Sequence, residues 1–415
     1  MLQRTNIKPT DPAAYGPFVT AKSFETLQKS SDRLAGKRIL QLSATRGGGG
    51  VAEMLRGVIA LERGLGLDVT WQTIDPPAGF FEITKQIHNG LQGETVGIGE
   101  SEWRRYESVN RKLAAEIDPD RWDLIIVHDP QPAAIRSCFP AETHAQWIWR
   151  CHLDLSAPNP AVAKRMLPLL KPYDGVIYSM EHYRLNGLKP KHPAVIPPVI
   201  DPLAPKNRPM EPAEADRIVA RYGIDPATPL LTQVSRFDRW KDPVGVIAAW
   251  KLARRQVPNL QLALVGNTVN DDPESGQVLA EVKQAAEGES DVFIIENIPP
   301  PQNDRHVKAF YVASDVVMQK SVREGFGLTV SEALWAGTPV VAGQVGGIVL
   351  QVESGRTGYL VSTVDGAAEA TVQLLLDPKL AAKMGRAGRG YVRKHFLLPR
   401  LVSDEMRFGA GILNV

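Results

Sequence analysis

Val316-Val317-Met318 is a short apolar, β-branched run, and after five intervening residues the chain reads Glu324-Gly325-Phe326-Gly327-Leu328-Thr329-Val330-Ser331-Glu332, continuing towards Trp335. A fully buried parallel strand has the first composition, because helices cover both faces of its sheet. The second stretch is a glycine-containing loop that opens a helix. Strand, loop and helix in that order form the repeating unit of an open α/β sheet.

Outward from this unit the alternation continues in both directions. The second half predicts further strands at Leu230–Val234, Leu262–Val265, Val292–Ile295 and Pro339–Val341. The first half predicts them at Arg38–Leu42, Val69–Ile74, Leu124–His128, Trp147–Arg150 and Gly175–Tyr178. Amphipathic stretches such as Val51–Arg63 and Val244–Arg255 lie between them as helices. The pattern predicts an α/β protein of two Rossmann-like, doubly wound domains facing across a cleft. Seven prolines between His192 and Pro212 mark the seam, since proline blocks both helix and central strand. The expected domains are residues 1–200 and 201–395, with a closing helix within 396–415 returning to the first. The first thirty or so residues are polar and suggest no definite element.

The 415 residues exceed one ordinary core, and 43% hydrophobic with 23% charged residues is a globular composition. With 48 basic against 46 acidic residues there is no electrostatic footprint for nucleic acid. No run approaches the ~18 apolar residues of a membrane span, and the first residues lack the apolar core of a signal peptide. A soluble, cytoplasmic protein is expected. Cys138 and Cys151 are isolated, which suggests buried thiols in a reducing compartment.

Four loops carry the chemistry. In the opening stretch, Gly325 and Gly327 let a ligand approach the backbone, and the helix start offers N–H groups to a phosphate. Glu324 is placed to accept bonds from sugar hydroxyls and Glu332 to reach a ribose diol; an ordinary glycine turn is the alternative. Ser235-Arg236-Phe237-Asp238-Arg239-Trp240-Lys241 follows the strand Leu230–Val234. Arg236 and Lys241 are suited to neutralise a diphosphate, or are simply solvated. Thr45-Arg46-Gly47-Gly48-Gly49-Gly50 is either a hinge or a loop closing over a diphosphate. It is not the dinucleotide fingerprint. His128-Asp129-Pro130-Gln131 and Cys151-His152-Leu153-Asp154 each follow a strand, with no zinc-ligand spacing and no serine elbow.

Glu324 and Glu332, eight residues apart, together with Arg236 and Lys241, resemble the donor-site signature of retaining GT-B glycosyltransferases, glycosyltransferase family 4. More narrowly, Gly47-Gly48-Gly49 with Val51-Ala52-Glu53, Phe80 to Lys85, His88 to Gly93, His128 to Pro132 and Trp149 to Ser156 resemble the trehalose glycosyltransferring synthases. Gly50 is an extra glycine relative to that pattern. The resemblance implies that Arg236 and Lys241 bind and stabilise the departing diphosphate. It implies that Glu324 holds the transferred glucose, assisted by backbone at Phe326, Gly327 and Leu328, and that Glu332 binds ribose. It puts His152 beside the donor sugar, Gly48 and Gly49 over the donor, and His128, Asp129 and Gln131 on the acceptor side. No metal and no cofactor are implied. The donor is a nucleoside diphosphate glucose (ADP- or UDP-glucose), the acceptor free glucose, the product α,α-trehalose, and a homodimer is suggested. Rival activities are a trehalose phosphorylase, transfer to another small acceptor with Arg46, Arg104 or Arg150 as anion ligands, and a non-catalytic sugar-nucleotide-binding protein.

Overall fold

The computed structural model describes residues 1–47, 50–266, 273–299 and 302–415. The chain forms two compact units, Met1–Val199 with Leu398–Val415, and Ile200–Leu397.

The first unit carries seven strands: β1 (Leu2–Thr5), β2 (Arg38–Ser43), β3 (Asp68–Ile74), β4 (Leu124–His128), β5 (Gln146–Arg150), β6 (Gly175–Tyr178) and β7 (His192–Val195). Its helices are α1 (Ala21–Asp32), α2 (Gly50–Gly64), α3 (Phe80–Leu91), α4 (Glu100–Ala114) and α5 (Pro160–Leu170). The sheet order is β1-β3-β2-β4-β5-β6-β7, parallel except for β1, which runs antiparallel along β3. Every residue of β4 is buried, as its unbroken apolar run requires. Leu40, Ile125, Trp147 and Val176 from the sheet pack with Phe80, Ile87, Tyr106 and Met166 from the helices. Asn159 ahead of Pro160 starts α5: its side-chain oxygen accepts the Ala161 N–H at 3.0 Å.

The second unit carries β8 (Leu230–Val234), β9 (Gln261–Gly266), β10 (Val292–Glu296), β11 (Val316–Gln319), β12 (Val340–Gly343) and β13 (Gly358–Val361). All are parallel, in the order β10-β9-β8-β11-β12-β13. Its helices are α6 (Pro212–Ala220), α7 (Pro243–Arg254), α8 (Pro273–Ala285), α9 (Gln302–Ala313), α10 (Leu328–Ala336), the single turn α11 (Ile348–Gln351), α12 (Val364–Leu376) and α13 (Pro378–His395). Leu231, Leu262, Met318 and Val341 meet Val246, Trp250, Ala367 and Leu374 in its core. Both units are doubly wound.

The last helix, α14 (Leu398–Leu413), packs in the first unit against α1 and α2. Gly175 is what lets it close on β6, since a Cβ there would lie 2.6 Å from Ile412 Cδ1. Arg400 donates to the Pro197 carbonyl at 2.7 Å and Ser403 meets Ser30 at 3.1 Å.

Three local expectations need correction. The proline-rich seam begins as strand: His192–Val195 pairs with β6 at the sheet edge, where Pro193 has no further partner strand to donate to. The polar N-terminal stretch is structured, as β1, a 3-10 turn at Pro12–Phe18 and α1. Cys138 is exposed, whereas Cys151 is buried.

Candidate functional site

In an open α/β sheet, ligands sit beyond the carboxyl ends of the strands where the winding reverses. In the second unit the sheet winds from β8 out to β9 and β10, then restarts on the other side at β11. The loops after β8 and β11 therefore border one crevice, and they are laced together. Lys241 pairs with Glu324, and Lys320 with Asp242. The Val322 N–H donates to the Trp240 carbonyl at 2.9 Å, and Arg323 lies over the Trp240 ring at 5.6 Å. Asp242 holds this loop in shape: it sits at φ 49°, and its carboxylate caps α7 through the Gly245 N–H at 3.0 Å. Arg236 stands at the rim, 54% exposed and 3.2 Å from Asp238. Asp238 in turn caps the Arg239–Lys241 turn. Cation and carboxylate converge here, 83 residues apart in the chain.

Gly327 immediately precedes α10 at φ 81° and brings no side chain to its N-terminus, so the first turn opens towards the loop Glu324–Phe326. Leu328 is the first helical residue. Phe326 is buried against the Phe396 ring, 5.7 Å away, which fixes the loop's backbone instead of offering its side chain. Glu332 is placed differently from Glu324. It is 3% exposed within α10, 2.7 Å from Lys206 Nζ, and it accepts the Tyr311 hydroxyl at 3.0 Å. Both its oxygens are engaged away from Lys241.

The first unit repeats the arrangement. Its winding reverses between β2 and β4, and residues of the two following loops surround a cavity of about 210 Å³. Thr45, Gly50, Phe81, His128, Asp129 and Gln131 are on its wall. Gly48 and Gly49 lie outside the described residues. Asp129 takes the left-handed conformation, φ 61°, which turns its carboxylate back to accept the His152 N–H at 2.9 Å. Gln131 Oε1 is buried with no hydrogen-bond partner among the described residues.

His128 and His152 form a relay. Gln41 Oε1 is 2.8 Å from His128 Nε2, and His128 Nδ1 is 3.2 Å from His152 Nε2. A carbonyl oxygen only accepts, so His128 Nε2 carries the proton; its Nδ1 then accepts from His152 Nε2–H. The remaining ring atom of His152, Nδ1, is thereby an acceptor. Burial, reinforced by the Arg150 charge, lowers the His128 pKa to about 3. The same two influences, and His128 itself, hold His152 well below its ordinary value. Both rings are neutral at physiological pH. Burial pushes the Asp129 carboxyl up to about 7, opposed by the His152 N–H and Arg150.

Arg150 is buried on β5 and ion-paired at 2.5 Å with buried Glu405 of α14. It is thus a structural cation and not a surface ligand for an acceptor anion. Glu62 of α2 stands beside this pair, and burial followed by the Glu405 charge raises its pKa to about 8. Sequence reading passed over Gln41, Asp242, Lys320 and Glu405. Gln41 was signalled by being polar within the apolar run Arg38–Ser43, and Asp242 by standing immediately before Pro243. Glu405 and Lys320 carried no local signal.

Residues 41–185 match the family described as trehalose synthase, N-terminal domain, and residues 214–391 match glycosyl transferases group 1. A trehalose synthase of Rubrobacter xylanophilus is 42% identical over 418 residues, covering all of both chains. The chain belongs to the trehalose synthase family of glycosyltransferases. A trehalose synthase of Pyrococcus horikoshii is 37% identical over 387 residues, 93% of this chain and 92% of that one. Among solved structures, the one described as trehalose-6-phosphate from E. coli bound with UDP-2-fluoro glucose superposes with a TM-score of 0.73. It covers 91% of this chain and 99% of that one at 14% identity, which shows the shared GT-B fold. Among the described residues, no helix is long and apolar enough to cross a membrane.

Proposed function

We propose that this trehalose synthase family member transfers glucose from a nucleoside diphosphate glucose to free glucose with retention, giving α,α-trehalose. The observation that carries this is the convergence of Lys241, Glu324 and Arg236 on loops at the winding reversal of the second sheet. Lys241 and Arg236 neutralise the diphosphate, and Glu324 accepts bonds from the hydroxyls of the transferred glucose. Glu332 reaches a ribose by exchanging one of its partners, Lys206 or Tyr311. The acceptor-binding role falls to the cavity walled by His128, Asp129 and Gln131.

In this mechanism the bond from the anomeric carbon to the diphosphate oxygen breaks, and negative charge grows on the leaving group. Preorganised cations stabilise that charge more in the transition state than in the ground state. The acceptor hydroxyl attacks the same face and its proton passes to the departing phosphate oxygen, so no protein carboxylate becomes glycosylated. His152, neutral and with Nδ1 as an acceptor, takes a hydrogen bond from a sugar hydroxyl and does not act as an acid. No metal is required where two cations meet the diphosphate.

Purified protein is incubated with glucose and, separately, ADP-, UDP- and GDP-glucose, and each product is treated with trehalase. A trehalase-sensitive disaccharide with stoichiometric nucleotide release supports the proposal and ranks the donors. Nucleotide release only with a different acceptor overturns the acceptor assignment. Glucose released from trehalose by phosphate alone makes the protein a phosphorylase.

A further inference from the structure

The second unit has another cavity, of about 440 Å³, at the opposite edge of its sheet. Ser314 and Asp315, which precede β11, and Thr338 and Pro339, which precede β12, border it. It therefore lies at the amino ends of the strands, whereas the Lys241–Glu324 loops follow the carboxyl ends. The transfer reaction makes no use of it.

Its charges are unusual. Lys308 of α9 is 4% exposed and lines this cavity, yet among the described residues it has neither a hydrogen-bond acceptor nor an ion-pair partner. A buried ammonium without a counter-charge is costly, and natural proteins keep such groups where something pairs with them. Arg389 of α13 lines the same cavity over the Trp335 ring, 5.2 Å away, and likewise makes no ion pair among the described residues. Burial and the Arg389 charge hold the Lys308 pKa down to about 8, with Glu332 acting the other way. The carboxylates nearby are already engaged: Glu332 with Lys206 and Tyr311, and Asp315 with the Leu230 N–H at 2.9 Å. Buried Asn207 adds a side-chain oxygen with no partner. The rest of the lining is mixed: Ser314, Asp315 and Thr338 are polar, while Met210, Leu375 and Pro378 join Trp335 as apolar contacts. Room, a buried ammonium with no ion pair or hydrogen-bond acceptor among the described residues, a second cation at the mouth and a mixed wall with an apolar patch are elements of a small-molecule anion site.

We propose that this cavity is a second ligand site, which takes a small organic phosphate with its anionic group between Lys308 and Arg389 and its body against Trp335 and Met210. Binding there relieves the repulsion between the two cations, so affinity depends on both.

The test uses the full chain and three probes: phenyl phosphate, inorganic phosphate and phenol, titrated by calorimetry. Because phosphate also suits Arg236 and Lys241, binding is compared in wild type, in an Arg236→Ala/Lys241→Ala double variant, and in Lys308→Met and Arg389→Met. The expected result is that phenyl phosphate binds more tightly than inorganic phosphate, and phenol not measurably. The donor-loop double variant keeps that affinity, while Lys308→Met and Arg389→Met each lose at least about tenfold. Arg389, being exposed, tests the cavity without disturbing the core, should Lys308→Met alter the fold. Affinity lost in the donor-loop variant but kept in Lys308→Met and Arg389→Met overturns the proposal, as does the absence of binding by any probe. The trehalase assay is read separately, so the two proposals fail independently.

Discussion

The imidazoles of His128 and His152 lie parallel, 8° apart with centroids 5.5 Å distant, and are joined edge to edge by a 3.2 Å contact from Nδ1 to Nε2. The first ring is anchored by Gln41 and presents an acceptor to the second; the second presents an acceptor to whatever occupies the loop beyond. Gln41→Leu removes the anchor and leaves a buried ring N–H unsatisfied. Such a group costs about 1–3 kcal/mol, so the melting temperature falls. Turnover falls roughly tenfold with little change in donor KM, because the ring becomes free to choose the wrong tautomer. Equal activity in Gln41→Leu and wild type would refute the relay.

The buried acid Glu62 sets a pH dependence of stability. Its folded pKa of about 8 lies above its unfolded value, so its contribution is fully present below about pH 4.5 and lost as pH rises through 8. His128 works oppositely. Its folded value of about 3 lies below the unfolded one, so its contribution is present above about pH 6.5 and lost as pH falls towards 3. Chemical denaturation from pH 5 to pH 9 therefore finds Glu62→Gln more stable than wild type at the alkaline end. At pH 5 the two converge. An unchanged pH profile in the variant would show that Glu62 does not titrate in this range.

At the proposed donor loops, Arg236 and Lys241 differ in burial and hence in how they should fail. Arg236 is more than half exposed, and its pair with Asp238 is screened by water. Arg236→Ala should cost about 10²–10³ in turnover, the usual worth of one group stabilising developing charge, and leave the melting temperature unchanged. Glu324→Ala strips the half-buried Lys241 of its partner and lowers both activity and stability. Steady-state kinetics alongside thermal melts separates the two effects. An Arg236→Ala enzyme with full turnover would remove that residue from the mechanism.

Arg150 and Glu405 bind α14 to β5 from a separation of 255 residues in the chain. Removing one partner of a buried pair leaves an uncompensated charge, at about 3–5 kcal/mol. Glu405→Ala and Arg150→Ala should each reach that range by urea denaturation. Arg150→Met/Glu405→Leu should recover most of the loss. Single variants within experimental error of wild type would mean that apolar packing alone docks the helix.

Much of the fold was legible because buried parallel strands write themselves as local apolar runs. Leu124–His128, Gly175–Tyr178 and Leu230–Val234 have the boundaries their composition predicts. Leu2–Thr5, His192–Val195 and Gly358–Val361 were missed: all three are edge strands with only one neighbour to pack on, and the second contains a proline. Edge strands need less apolar character, so the signal fades where burial does. The candidate loops were found from glycines, cations and histidines at the ends of strands. Their pairings were not, because Lys241 with Glu324 and Gln41 with His128 are contacts across the sheet, not along it.

The sequence by itself determined two doubly wound units, a proline-rich seam, the candidate loops after the strands and the family to which the chain belongs, since each is a short-range pattern of side-chain type. Tertiary structure alone decided which charge faces which. It turned Glu332 inward to Lys206 and Tyr311, assigned Arg150 to Glu405, and left Lys308 without an ion pair among the described residues, beside a second cavity. The strength of an ion pair or hydrogen bond depends on distance and burial, and both are set only when segments remote in the chain have packed.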